Sequence, residues 1–149
     1  MAESSRKSES VEESSEVIAG ISSQAKYTDL FERLMDPGFL LHSESYEIRD
    51  VNSAAERVFG ADRDSLITKS FLGWVEAEQR DSLEKAFRIA RRRYYPRQVR
   101  AWMNPGLGSR ILGEASICML LLQSGEEVVQ VIVKDVTRVW EAEQAIAKY

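Results

Sequence analysis

Apolar residues recur at helical spacing in some stretches of this chain and at alternate positions in others. Tyr27, Leu30, Phe31 and Leu34 fall at i, i+3, i+4 and i+7, one stripe of a helix. Asp36-Pro37-Gly38 stops that helix, because proline disfavours a helical residue before it and glycine tolerates left-handed turns. Phe39 to Leu41 and Tyr46 to Val51 read as two short strands around the polar turn His42-Ser43-Glu44-Ser45. Ser53 with Glu56 three residues on predicts a capping box, Ala54, Ala55, Val58 and Phe59 form the apolar side of the helix that follows, and Gly60 closes it. A short helical piece is expected from about Asp64 to Phe71. The clearest helix is Glu76 to Tyr94: Leu83, Phe87, Ala90 and Tyr94 make one stripe, i,i+4 charge pairs such as Glu84–Arg88 lie on the other faces, and Pro96 ends it.

Three strands follow, Arg97 to Met103, Arg110 to Gln123 and Glu127 to Lys134, joined by turns at Asn104-Pro105-Gly106-Leu107-Gly108 and Ser124-Gly125-Glu126. A last helix is expected over Arg138 to Tyr149, with apolar positions at threes and fours. This order predicts an α+β fold with helices on one face of an antiparallel sheet.

Strand parity divides the sheet into two faces. Ile111, Gly113, Ala115, Ile117, Met119 and Leu121 share one side, matched by Val129, Val131 and Val133 and by Val99, Ala101 and Met103; these are the expected core face. Gly113 and Ala115 are small. Either they leave room for a ligand beside Phe59, Phe87, Met103 and Ile117, or larger helix residues fill that room. The other face carries Trp102, Leu112, Cys118, Leu120 and Ile132, too apolar for free solvent. It is expected to be covered by the Tyr27–Leu34 helix, by a second copy of the chain, or by both. The predicted dimer interface is therefore Tyr27, Leu30, Phe31, Leu34, Trp102, Leu120 and Ile132.

Composition narrows the function classes. The chain has 149 residues, 44% hydrophobic and 30% charged, with a formal net charge of -4, which suits one domain with tails and gives no general attraction to nucleic acid or anionic membrane. Residues 1–16 hold six serines and five glutamates against one Arg and one Lys, a composition that predicts disorder. No apolar signal core is visible, and the longest apolar run, Ile117 to Leu122, is far short of the roughly 18 residues needed to span a bilayer. One cysteine, Cys118, excludes an internal disulfide and suits a reducing cytoplasm; it is read as a packed residue rather than a redox sensor. The single histidine, His42, sits in a turn and is read as solvent-exposed rather than as a ligand. There is no glycine-rich phosphate loop and no nucleophile–histidine pairing, so no enzyme is expected. Arg88, Arg91, Arg92, Arg93, Arg97, Arg100 and Arg110 are an unusual concentration of cations. Arg91, Arg92 and Arg93 at a helix end fit its dipole, or else form a patch for an acidic partner such as the glutamate-rich N-terminus.

Two stretches carry a resemblance. Asp50-Val51-Asn52 followed by the helix that closes on Phe59-Gly60, and Val131-Ile132-Val133-Lys134-Asp135-Val136-Thr137, resemble the opening and closing signatures of PAS domains. Asp64-Ser65-Leu66-Ile67-Thr68-Lys69-Ser70 resembles a further family run, with Thr68 where glycine is usual. The resemblance spans roughly Tyr27 to Thr137 and implies a PAS fold: a five-stranded antiparallel sheet in the order 2-1-5-4-3 with helices on one face, flanked by N- and C-terminal helices. It divides the chain into a tail (1–16), a flanking helix (17–36), a core (37–137) and an output helix (138–149). Asp135 and Thr137 match the family's signal junction; the aspartate is expected to pair with a basic group on the core and the threonine to cap the outgoing helix. The resemblance implies a cytoplasmic module of bacterial signal transduction. It would act by regulated protein–protein interaction, mainly homodimerisation, with a downstream signalling protein or fused output domain as second partner and with neither nucleic acid nor membrane. The alternative is a small-molecule or cofactor sensor for flavin, haem or a metabolite; no cofactor is the leading expectation. Cys118 lacks the asparagine–cysteine–arginine context of flavin-photoadduct relatives.

Overall fold

The computed structural model describes residues 29–93, 95–106 and 108–148. The chain divides into two units, Met1–Arg33 and Leu34–Tyr149. In the first, residues 29–33 are helical (α1); the expected disordered tail, most of the expected flanking helix, and Tyr27 lie outside the described residues. The second unit runs β1 (Gly38–His42), β2 (Ile48–Val51), α2 (Ser53–Phe59), α3 (Arg63–Leu66), a 3-10 turn (Phe71–Trp74), α4 (Ala77–Arg93), β3 (Arg97–Met103), β4 (Ile111–Leu121), β5 (Glu127–Asp135) and α5 (Thr137–Ala147). The five strands form one antiparallel sheet in the order β2-β1-β5-β4-β3, the order the sequence signatures imply.

Asn52 explains how the sheet connects to its helices. It is fully buried at the end of β2. Its side-chain oxygen accepts from the Ala55 N–H at 2.9 Å, capping α2, and from the Gly38 N–H at 2.9 Å, holding the start of β1. Its amide donates to the Asp36 carbonyl at 3.1 Å. One side chain thus ties a helix start to a strand start. The expected capping box on Ser53 and Glu56 is corrected here: Asn52 is the cap, and Glu56 instead accepts from the Arg63 N–H at 3.3 Å. An asparagine that can cap outcompetes the next residue when burial forces all its bonds to be made. Gly60 closes α2 at φ 64, as its composition predicts.

Most elements differ from the expected bounds by a residue or two at an end, as β4 does at Ile111–Leu121 against the expected Arg110–Gln123, and two of the differences have a visible cause. The strand expected from Tyr46 begins at Ile48, because Tyr46 stands at φ 60 in the turn and stacks on Phe87 with centroids 4.8 Å apart. The helical piece expected from Asp64 to Phe71 ends at Leu66. Thr68 follows at φ 77, a left-handed conformation uncommon for a β-branched residue, and this is the position where the signature carries glycine. The segment then runs along the β2 edge, with Ile48 N–H donating to the Lys69 carbonyl at 2.8 Å and Thr68 N–H to the Ile48 carbonyl at 2.9 Å.

The core lies between the sheet and α2, α4 and the 3-10 turn. Leu83, Phe87 and Ala90 of α4 are 0% exposed, which confirms the α4 stripe; Tyr94, its fourth member, lies outside the described residues. Phe39, Phe59, Phe71 and Trp74 form an edge-on and tilted aromatic cluster with centroids 4.5–6.1 Å apart.

Candidate functional site

β5 ends where α5 begins, and the joint is held by three groups. The Leu112 N–H of β4 donates to the Thr137 hydroxyl oxygen at 2.9 Å. That hydroxyl donates to Asp135 Oδ1 at 2.6 Å, and the Thr137 backbone N–H donates to the same oxygen at 3.0 Å. The Val136 N–H reaches the Leu112 carbonyl at 2.9 Å. Leu112 therefore gives both its backbone groups to the junction, and the root of α5 is fastened to β4. Both expected roles are corrected. Asp135 takes up the hydroxyl and N–H of Thr137 rather than a basic group, and its charge sits favourably at the helix start. Thr137 is the first residue of α5, not its cap: Val136 is at the cap position, and no side chain bonds there. A carboxylate two residues before an N–H is close enough to satisfy it directly.

Beyond its root, α5 crosses the outer face of the sheet. None of its residues is buried. Trp140 meets Trp102 of β3 edge-on, centroids 5.2 Å apart. Glu143 binds Arg100 Nη1 at 3.1 Å, while Arg100 Nε reaches Glu114 at 3.2 Å. These two carboxylates raise the Arg100 guanidinium further above its ordinary range, Glu143 most. The Arg110 guanidinium lies 4.0 Å over the Trp102 ring and binds Glu76 at 2.7 Å. The Trp102 N–H is taken by the Gln79 side chain. The outer face is thus occupied in part by the chain's own last helix, a cover that the alternation of residues did not reveal.

The other expected interface residues differ in exposure. Leu120 and Ile132 are half-buried on the outer face, Leu30 and Leu34 are exposed at 65% and 40%, and Phe31 is buried. Cys118 of β4 is half-buried, its sulfur accepting from Gln130 Nε2 at 3.6 Å, and burial pushes its thiol pKa up. Of the arginine cluster, Arg91 donates from Nη1 to the Ser43 carbonyl at 2.8 Å, tying α4 to the β1–β2 turn. Arg92 is exposed, and the side chain of Arg93 lies outside the described residues. His42 is half-exposed, 3.9 Å from Glu126, which also binds Arg49 at 2.9 Å.

The residues expected to line a ligand site, Phe59, Phe87, Met103, Gly113, Ala115 and Ile117, do come together on the core side of the sheet. All but Gly113 are in the buried hydrophobic core. A Cβ on Gly113 would stand 2.9 Å from both Met103 Sδ and Val133 Cγ1, so the space beside this glycine is taken by its neighbours. Among the described residues no three or more His, Cys, Asp or Glu side chains are grouped to hold a metal, and no helix is long and apolar enough to cross a membrane.

No protein-family model and no curated protein sequence matches the chain. Solved structures do. A PAS domain from Colwellia psychrerythraea superposes with a TM-score of 0.67 at 13% identity, covering 77% of this chain and 98% of that one. A domain of a sensory box sensor histidine kinase/response regulator from Geobacter sulfurreducens gives 0.59 at 20% identity over 75% and 94% of the two chains. An RNA-binding light-oxygen-voltage receptor gives 0.70 at 13% identity, over 84% of this chain and 36% of that one. The chain has the PAS fold.

Proposed function

We propose that this chain is a sensory and signalling module without catalytic activity, working in a bacterial cytoplasm through a regulated protein–protein contact, chiefly with a second copy of itself. The observation that carries this reading is the exposed side of α5. Val139 and Ile146 are 48% and 74% exposed. With the exposed Ala142 between them they follow the three–four spacing of a coiled-coil seam, with β-branched residues at the positions that favour two parallel strands. The helix is anchored at its root by Asp135 and Thr137, so a change in the sheet alters the direction in which that seam points. Leu30 and Leu34 add exposed apolar surface for the same assembly. A downstream signalling protein or an attached output domain would read the geometry of the paired helices. Light scattering is expected to give a dimer mass at tens of micromolar and a monomer for Ile146→Glu; a monomeric wild-type protein overturns the reading.

A second reading, a small-molecule or cofactor sensor, has in its favour the likeness to a light-oxygen-voltage receptor. It places the ligand among Phe59, Phe87, Met103, Gly113, Ala115 and Ile117, and it requires Met103 and Val133 to give way beside Gly113. A flavin or haem band in the absorbance of freshly purified protein supports the sensor, and native mass spectrometry reports a bound ligand that has no colour.

A further inference from the structure

Helix α5 has two unlike sides. Val139, Ala142 and Ile146 lie along the exposed one, while Trp140 and Glu143 touch the sheet. The contact under Trp140 does not end at β3. Trp102 is held on its backbone by the start of α4, where the Glu76 N–H donates to the Trp102 carbonyl at 2.9 Å and Gln79 accepts the Trp102 N–H. Its ring is held from above by Arg110, whose guanidinium is fixed by Glu76 at 2.7 Å. Glu76 in turn follows directly on Trp74 and Val75. Trp74 belongs to the aromatic core, its carbonyl accepting the Asn104 N–H at 2.7 Å, and Val75 forms a bridge with Met103. A continuous line of contacts therefore leads from the aromatic core, around the β3 edge of the sheet, to the outer face where α5 lies. It is separate from the Asp135–Thr137 junction.

We propose that Glu76, Arg110, Trp102 and Trp140 form a relay through which the start of α4 sets whether α5 lies docked on the sheet or swings free. The relay rests on α5 being the output element, and it names what controls it. Three features support it. The Arg110 and Glu76 side chains are 52% and 21% exposed, so their ion pair is solvent-screened and easily broken. The cation over the Trp102 ring loses its position when Glu76 no longer holds it. Helix α5 has no buried residue of its own, so beyond its root the Trp140 and Glu143 contacts hold it to the sheet, and the relay assigns it a second, released arrangement, as a switch requires.

The test is a distance measured within one protomer. Spin labels at Gln123→Cys and Gln144→Cys, in a Cys118→Ser background of the full chain, are diluted into excess unlabelled protein and read by pulsed electron resonance. The parent protein is expected to show one narrow docked distance. Arg110→Ala, Glu76→Gln and Trp140→Ala are each expected to lose that peak in favour of a broad distribution, while melting curves stay close to the parent's. Glu76→Gln keeps the side-chain volume and serves if Arg110→Ala folds poorly. The double variant Glu76→Gln/Arg110→Ala is expected to show no more than either single change, because both break one link. A docked peak that survives in either folded single variant, or additive effects in the double, overturns the relay. The distance is independent of dimer mass, so Ile146→Glu leaves it unchanged, and failure of the relay is distinguishable from failure of the dimer reading.

Discussion

Helices α4 and α5 are both amphipathic, and they are attached to the same sheet in opposite ways. α4 sends Leu83, Phe87 and Ala90 into the core, all 0% exposed. α5 buries none of its residues and, among the described residues, is held by a hydrogen-bonded root, one tryptophan pair and one ion pair. The difference follows from what each helix meets. α4 faces the aromatic cluster, where apolar surface leaves water on both sides of the contact. α5 faces the outer surface of β3 and β4, where Arg100, Glu114 and Arg110 stand among the apolar side chains. Burial contributes about 1.5–3 kcal/mol per large side chain, whereas exposed ion pairs contribute up to about 1 kcal/mol. α4 is therefore part of the fold, and α5 is an attachment whose release, as proposed above, would leave the core intact.

Mutations should separate the two. The largest expected effect is on the α4 side. Phe87→Ala and Phe59→Ala should each cost about 3–5 kcal/mol, read as a large drop in melting temperature; wild-type melting in either variant would mean that the aromatic cluster does not hold the helix layer. Next is Asn52→Ala, which leaves the buried Gly38 and Ala55 N–H groups without their acceptor and should cost roughly 1–3 kcal/mol by denaturant titration. Asp135→Ala and Thr137→Val loosen only the root of α5 and should cost about 1–2 kcal/mol. Either change should also alter crosslinking between cysteines placed on α5 of paired protomers. Unchanged crosslinking with an unchanged melting curve would remove the junction from the mechanism, and complete unfolding would make Asp135 a residue of the fold itself. Thr68→Gly should move stability the other way, by about 1 kcal/mol, because glycine relieves the positive φ at the expense of some chain entropy; a loss of stability would show that the Thr68 side chain offsets its strain. Ile146→Glu should leave melting of the monomer unchanged and abolish the dimer, the cleanest expression of an exposed helix whose role lies outside its own fold.

The fold was almost fully legible along the chain. Alternation placed β3 at Arg97–Met103 to the residue, and the Phe87 stripe identified the buried side of α4. Asn52, Phe59-Gly60 and Asp135-Val136-Thr137 carried the topology. Less of the candidate site was legible. Asp135 and Thr137 were found by their place at a strand end, but their partners were not, because the Leu112 N–H that binds Thr137 is 25 residues away in sequence. Trp102 was singled out as an apolar residue on the outer face, and its position there holds; that Trp140 would meet it was invisible, since nothing in two separate periodic patterns says which stripes will face each other. The charge clusters misled in a similar way. Arg91 stands in a run of three, yet it serves a backbone carbonyl in the β1–β2 turn, a contact that no local pattern encodes.

The sequence by itself determined the elements, their order and most of the residues each turns to the core, because these depend on spacings of two and of three to four residues and on turn-forming glycine, proline and asparagine; Leu121 at the end of β4 and Val58 of α2, both expected on the core side, are instead 63% and 38% exposed. Tertiary structure alone decided which polar groups meet. It set Asn52 between two segments, turned Thr137 from a cap into a bridge, filled the space beside Gly113 with Met103 and Val133, and laid Trp140 on Trp102 under the hand of Arg110. The physical reason is one of range. Apolar burial is non-directional and leaves a periodic trace in the chain. Hydrogen bonds and ring contacts need atoms placed within a few tenths of an ångström, and only the folded backbone brings those atoms together.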